Sequence, residues 1–136
     1  MSIAVNSRAA AGAPWRPRSS TSCSDRPSAP PSAPSRTPSS RLAACATDVE
    51  AGQSLLDRAL LAHEKGELTP ADAAKVKLFC TELRGRVVDR CLQLHGGYGY
   101  ILEYPIAGAY ADARVTRIYA GSSEIMKTII AKDIGL

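Results

Sequence analysis

The chain has 136 residues, enough for one small domain with a useful core. Its formal net charge of +4 invites a nucleic-acid reading, but residues 1–41 hold six arginines against one acid, Asp25, while eleven basic residues face twelve acidic ones from Leu42 onward. No basic stripe interleaved with aromatics remains for a phosphate backbone, and no apolar run approaches the roughly 20 residues that span a bilayer.

Residues 1–40 differ in kind from the rest. The stretch APWRPRSSTSCSDRPSAPPSAPSRTPSS carries most of the prolines and serines and shows no apolar period. Such a segment buries too little surface to offset its ordering entropy, which predicts disorder. Acid-poor and rich in arginine and serine, it also has the composition of an organelle transit peptide, although its prolines would break the amphipathic helix such peptides form.

From residue 41 the pattern turns helical. Leu42, Cys45, Ala46, Val49, Leu56 and Leu60 recur at three- and four-residue steps opposite Asp48, Asp57, Arg58 and Lys65. Ser40 is placed to cap the start, and Gly66 stands where a left-handed residue ends a helix. LTPADAA then offers Thr69 as N-cap, Pro70 at the first helical position and Asp72 in the first turn. Val76, Cys80, Leu83, Val87, Cys91 and Leu94 give this second helix an apolar stripe, which predicts an antiparallel helical hairpin ending near His95. HGGYGY follows as a glycine turn, EYPIAGAYADAR as a short helix with Pro105 near its start, and GSSEIMKTIIAKDIGL as a terminal helix with Ile125, Met126, Ile129, Ile130 and Ile134 on its apolar face. With no strand signal elsewhere, the expected fold class is all-α, a helical bundle preceded by a disordered segment.

Cys23, Cys45, Cys80 and Cys91 include no CxxC pair, and only His63 and His95 accompany them. This argues against a zinc site and predicts free buried thiols in a reducing compartment.

Two places suit an anion. Backbone N–H groups around Gly96, Gly97 and Gly99 can form a nest, with Gln93 one turn earlier; the plainer reading is a helix C-cap and a turn. At Gly121-Ser122-Ser123-Glu124 a helix start presents free N–H groups and a hydroxyl; the plainer reading is a serine N-cap with Glu124 on the helix dipole. Asp112, Arg114 and Arg117 of DARVTR read as a structural ion-pair cluster, and Tyr98, Tyr100, Tyr104, Tyr110 and Tyr119 as packing and interface material.

Taken together, QLHGGYGY and DARVTRIYAGSSEIMK at their mutual spacing strongly resemble the C-terminal end of the acyl-CoA dehydrogenase family over residues 41–136, and EIMKTIIAKDIG is similar to its long-chain branch. The resemblance implies a C-terminal helical bundle that binds FAD and forms the oligomer interface. It places Gln93, Leu94, His95, Gly96 and Gly97 at the turn that contacts the FAD of a neighbouring subunit. Ser122, Ser123 and Glu124 would touch the flavin of their own subunit, and Gly121 would lie beside the acyl thioester. The implied reaction is α,β-dehydrogenation of an acyl-CoA in fatty-acid β-oxidation, with an electron-transfer acceptor as partner. Many members carry the glutamate base where this chain has Ala120, so no catalytic residue is assigned. Either the base sits on an earlier helix, as in the long-chain and isovaleryl branches, or the chain is a cofactor-binding partner of a heteromer.

The family also has an N-terminal helical domain and a middle β-domain, which residues 1–40 cannot replace. The resemblance therefore implies a fragment inactive by itself, or a functionless pseudogene product. Reading Ser24 to Ser40 in a shifted frame, with suitable synonymous codons, gives RQAFGAPIGAFQNTKF, which holds two family motifs at the expected distance. Residues 1–40 are thus expected to be an out-of-frame translation. The expected location is the cytoplasm, or the mitochondrial matrix if residues 1–40 act as a transit peptide.

Overall fold

The computed structural model describes residues 36–136, with side chains from residue 38 onward. The disorder and transit-peptide expectations for residues 1–35, and Cys23, lie outside the described residues. Among the described residues four α-helices follow one another: α1 (Arg36–Glu64), α2 (Pro70–His95), α3 (Pro105–Val115) and α4 (Ser123–Asp133), with a 3-10 turn, Gly96–Tyr100, between α2 and α3. No strand occurs among the described residues.

Helix α1 begins at Arg36, inside the segment expected to lack structure, so Ser40 lies within the helix and does not cap it. The reason is local. Pro38 falls in the first turn, where its missing N–H deprives the helix of no bond. The other end matches expectation: Gly66 adopts φ +73°, its N–H reaches the His63 carbonyl at 3.0 Å and the Glu67 N–H reaches Ala62 at 2.8 Å. These are the paired bonds of a left-handed helix stop. Helix α2 starts as expected, with Pro70 at its head and the Thr69 hydroxyl accepting the Asp72 N–H at 3.1 Å while donating to the Asp72 carboxylate at 2.8 Å.

Pairings run in opposite directions along α1 and α2, which makes them an antiparallel hairpin. Cys45 packs with Val87 and Cys91, whereas Leu56 and Ala59 pack with Val76 and Cys80. Arg90 of α2 bonds Asp48 of α1 at 2.8 Å. Leu83, Val87 and Val88 are almost wholly enclosed and each contributes about 1.5–3 kcal/mol of burial. Cys45, Cys80 and Cys91 are buried free thiols, as their helical positions predicted; burial pushes the thiols of Cys80 and Cys91 up from their usual range. Ala46 is exposed and Leu94 only half-buried, so the expected stripes thin out at their margins.

Helix α2 touches every other element. Its expected stripe meets α1, while Ala71, Ala74, Lys77, Thr81, Arg84, Gly85 and Val88 are buried as well. Helix α4 lies on α2 through Ser123 and Met126. Ile125 and Ile134, expected on its buried face, are exposed: Ile125 lies off the line of Ser123 and Met126, and Ile134 follows the helix as its C-cap.

Two glycines inside helices separate opposite packing demands. A Cβ on Gly52 would come within 2.6 Å of Leu83, whereas one on Gly108 would meet nothing within 4 Å. Gly108→Ala should stabilise the isolated chain by about 0.5–1 kcal/mol and Gly52→Ala should destabilise it by about 1–3 kcal/mol in denaturant unfolding. The Thr69 hydroxyl, and then Lys75, hold the Asp72 carboxyl below its ordinary value of 3.8. Its stabilisation is complete above that value and is lost as pH falls through the lower folded value. Acid unfolding followed by helicity should therefore be less steep below pH 3.8 in Asp72→Asn than in the parent.

Candidate functional site

The segment between α3 and α4 is tied to α2 at several points. Lys77 Nζ donates to the Gly121 carbonyl. The Glu82 carboxylate accepts the Ser123 hydroxyl at 2.8 Å and pairs with Arg117 Nε at 3.4 Å. The Ser123 N–H closes the loop on the Arg117 carbonyl at 3.0 Å. A Cβ at Gly85 would collide with the Arg117 guanidinium, so the absent side chain is what lets Arg117 lie on α2. Arg117 therefore bonds across to α2 and forms no cluster with Asp112 and Arg114, contrary to the sequence expectation. Asp112 is exposed and its helical position turns it away from that interface.

This anchoring holds an unusual backbone. Ala120 has φ +51°, the one positive value for a non-glycine among the described residues, and Gly121 follows at φ +91°. A left-handed alanine costs about 1–2 kcal/mol. The buried Lys77, whose ammonium burial pushes below the usual lysine value against weaker pulls from Glu82 and Glu124, fixes the carbonyl just after it. Sequence reasoning missed Lys77, Glu82 and Gly85. Their signal was a second face on α2 whose polar residues resembled a solvated side.

Ser122 caps α4 by position, yet its hydroxyl makes no bond to the helix start. That hydroxyl, and then Glu124's own N–H, hold the Glu124 carboxyl below its usual range. Ser123 is buried with its hydroxyl committed to Glu82, which leaves Ser122 and Glu124 as the outward polar groups. At the end of α2 the expected nest does not form. Gly96 alone is left-handed (φ +56°), its N–H is bonded to the Gln93 carbonyl, and the next residues wind into a 3-10 turn. Gly99 instead allows close packing, since a Cβ there would lie 2.8 Å from the Leu92 carbonyl. Gln93, His95, Gly96 and Gly97 are exposed and Leu94 is half-buried. His95 Nδ1 lies 2.8 Å from the Cys91 carbonyl, which can only accept, so Nδ1 carries the proton and Nε2 is the nitrogen left for another partner.

The two clusters stand apart. Eleven helical steps separate Glu82 from Gln93, or roughly 16 Å at 1.5 Å per residue. No group of three or more His, Cys, Asp or Glu suited to a metal ion occurs among the described residues. None of their helices is long and apolar enough to cross a membrane.

Residues 31–135 match the family described as acyl-CoA dehydrogenase, C-terminal domain. The chain belongs to the acyl-CoA dehydrogenase family. It is 46% identical over 94 residues to the mitochondrial long-chain specific acyl-CoA dehydrogenase of Rattus norvegicus, covering 69% of this chain and 22% of that one. The acyl-CoA dehydrogenase of Geobacillus kaustophilus superposes with a TM-score of 0.80 at 35% identity, over 98% of this chain and 35% of that one. An FAD complex of PigA superposes with a TM-score of 0.69 at 28% identity, over 74% and 26% respectively. The chain thus spans about a quarter of the length of the curated relatives it matches. The all-α fold and the long-chain resemblance read from the sequence both stand.

Ala120→Gly should raise stability by about 1 kcal/mol in denaturant unfolding, by relieving the left-handed alanine. Glu82→Ala should cost about 1–3 kcal/mol and speed amide exchange at Ser123, by leaving Ser123 and Arg117 without their shared carboxylate. Unchanged exchange at Ser123 would show that Glu82 does not hold the loop.

Proposed function

We propose that this chain is the C-terminal helical portion of an FAD-dependent acyl-CoA dehydrogenase, retaining parts of two flavin contacts and lacking the means to dehydrogenate an acyl-CoA alone. The observation that carries this reading is Gly97. It lies in the 3-10 turn without a left-handed backbone, and a Cβ there would meet nothing within 4 Å. Nothing among the described residues requires glycine at this position. The missing side chain leaves room there for a cofactor to approach the backbone closely.

The donor set fits a flavin nucleotide. Gln93 and His95 Nε2 offer outward polar groups beside Gly97 and would hold the cofactor of a neighbouring subunit, with Leu94 and Gly96 completing the turn. The Ser122 hydroxyl and the Glu124 segment would meet the cofactor of the same subunit; Ser123, committed to Glu82, supports them from beneath. Bound FAD supplies the hydride acceptor. Gly121 would border the acyl thioester, its position set by Lys77. Ala120 has no group that can take the α-proton, so the base must come from elsewhere in an assembled enzyme.

A heteromeric or homomeric assembly is favoured by the exposed apolar residues around the turn: Tyr100 and Leu102 are 89% and 86% exposed, and Tyr98 and Tyr104 form a tilted ring pair at 5.3 Å while both remain exposed. Such an assembly also fits the reading of the chain as a non-catalytic partner subunit. We assign it to the cytoplasm, or to the mitochondrial matrix if residues 1–40 act as a transit peptide, with acyl-CoA and an electron-transfer acceptor as partners. Residues 1–40 are read as out-of-frame translation, and the nucleotide sequence across codons 20–45 decides that: codons unable to spell the two family motifs would end the idea.

The purified chain should show no acyl-CoA turnover with an electron-transfer dye and should quench flavin fluorescence weakly. Gly97→Val should reduce that quenching without lowering thermal stability. Turnover by the chain alone would refute the reading, as would flavin binding indifferent to Gly97→Val.

A further inference from the structure

Between α2 and α3 lies a cavity of about 270 Å³ lined by Gly85, Arg86, Asp89, Tyr110, Arg114 and Arg117, with Ala113 at its base. None of these residues belongs to the Gln93–Gly97 turn or to the Ser122–Glu124 segment. Three arginines and one aspartate share its lining, and Arg86, Asp89 and Arg114 stand at its open, solvent-exposed side. Arg117 is partly neutralised by Glu82 at 3.4 Å, in a geometry that leaves its buried Nε without a hydrogen bond. Arg86 and Arg114 have no carboxylate oxygen within 4.0 Å among the described residues. Even Asp89, one helical turn along α2 from Arg86, does not pair with it. Arg114 acts on Glu124 only through space, as the weakest of the influences on that carboxyl.

We propose that this cavity is a binding site for the phosphoryl or diphosphoryl group of a small molecule. Two guanidinium forks free of carboxylates match the oxygens of a phosphate in bidentate fashion, which an ammonium could not do. The Tyr110 hydroxyl supplies a further donor at the wall. Charge favours an anion: with Glu82 and Asp89 both counted against the three arginines, a single positive charge remains, and the preference for a phosphoryl group rests on the paired guanidinium forks. The volume falls just below the ~300–1,000 Å³ of sites that enclose a whole drug-sized ligand. The cavity therefore takes the anionic group and leaves the remainder of the molecule outside. Gly85 builds the floor, because its missing Cβ is what lets the Arg117 guanidinium lie against α2.

The test is calorimetric titration of the full 136-residue chain with inorganic pyrophosphate at low ionic strength, with helicity confirmed by circular dichroism. Saturable one-to-one binding is expected, weakening steeply with added salt. Arg86→Gln and Arg114→Gln should each lose about tenfold in affinity, the loss of one charge-assisted contact. Arg114→Lys should retain part of it, and Asp89→Asn should tighten binding, an opposite effect that general unfolding could not produce. ADP binding with the same affinity as pyrophosphate means that the diphosphate alone is read, and tighter ADP binding means that the Tyr110 rim adds to it; each upholds the site. A folded chain giving no heat beyond a matched sodium chloride control overturns it, and so does a double Arg86→Gln, Arg114→Gln variant that binds as the parent does. Flavin binding is read separately by fluorescence, so either proposal can fail without the other.

Discussion

Helix α2 has to be buried on two sides at once, and the chemistry of its second side decides where the C-terminal half of the chain goes. The first side is apolar and closes on α1, as any amphipathic hairpin would. The second carries Lys77, Thr81, Glu82, Arg84 and Gly85, of which four are buried and Glu82 is half-buried. A polar group out of water needs a partner: the segment from Arg117 to Ser123 gives Lys77 a carbonyl and Glu82 a guanidinium and a hydroxyl, Thr81 bonds carbonyls of its own helix, and the buried Arg84 Nε has no hydrogen bond among the described residues. Apolar contact would place α4 against α2 loosely. Directional bonds to Gly121 and Ser123 fix its rotation and its register.

That division explains what could be read from residue types. The caps and stops were legible because each is a local event with its own chemistry: Thr69, Pro70 and Gly66 act through bonds to neighbours within a few positions. The α1–α2 hairpin was legible for the same reason, from one apolar period and a short connection. The start of α1 was misplaced because Ser40 was read as its cap and the Pro/Ser-rich composition before it as disorder, although Pro38 in the first turn is harmless and the helix begins at Arg36. The second face of α2 was not legible, since lysine, threonine and glutamate at helical spacing usually mark a side facing water. Only the partners, more than thirty residues away in sequence, turn them inward.

The site shows the same split. Family motifs located Gly121 to Glu124 and Gln93 to Gly97, and both segments lie at helix ends in the fold. What the motifs did not separate is function from support. Ser123 lies within the motif, yet its hydroxyl faces inward to Glu82, so Ser122 and Glu124 are left to face outward. Likewise Gly99 serves the packing of its own turn while Gly97 serves nothing among the described residues. A glycine with an internal reason and one without are indistinguishable as letters. They differ only once the space around each is known.

Ala120 brings these strands together. Its left-handed backbone is sterically costly, and the bonds just beyond it keep that conformation in place: Lys77 on the Gly121 carbonyl, Glu82 on Ser123. The loop is therefore shaped by its anchors and not by the side chain at position 120. A methyl group can stand there without the loop collapsing, because nothing the loop depends on passes through that residue. It follows that the side chain at position 120 can vary with little effect on the loop's shape, whereas loss of Lys77 or Glu82 removes bonds that hold it. The loop thus keeps its shape with no acid or base at position 120, held by the bonds that Lys77 and Glu82 make just beyond that residue.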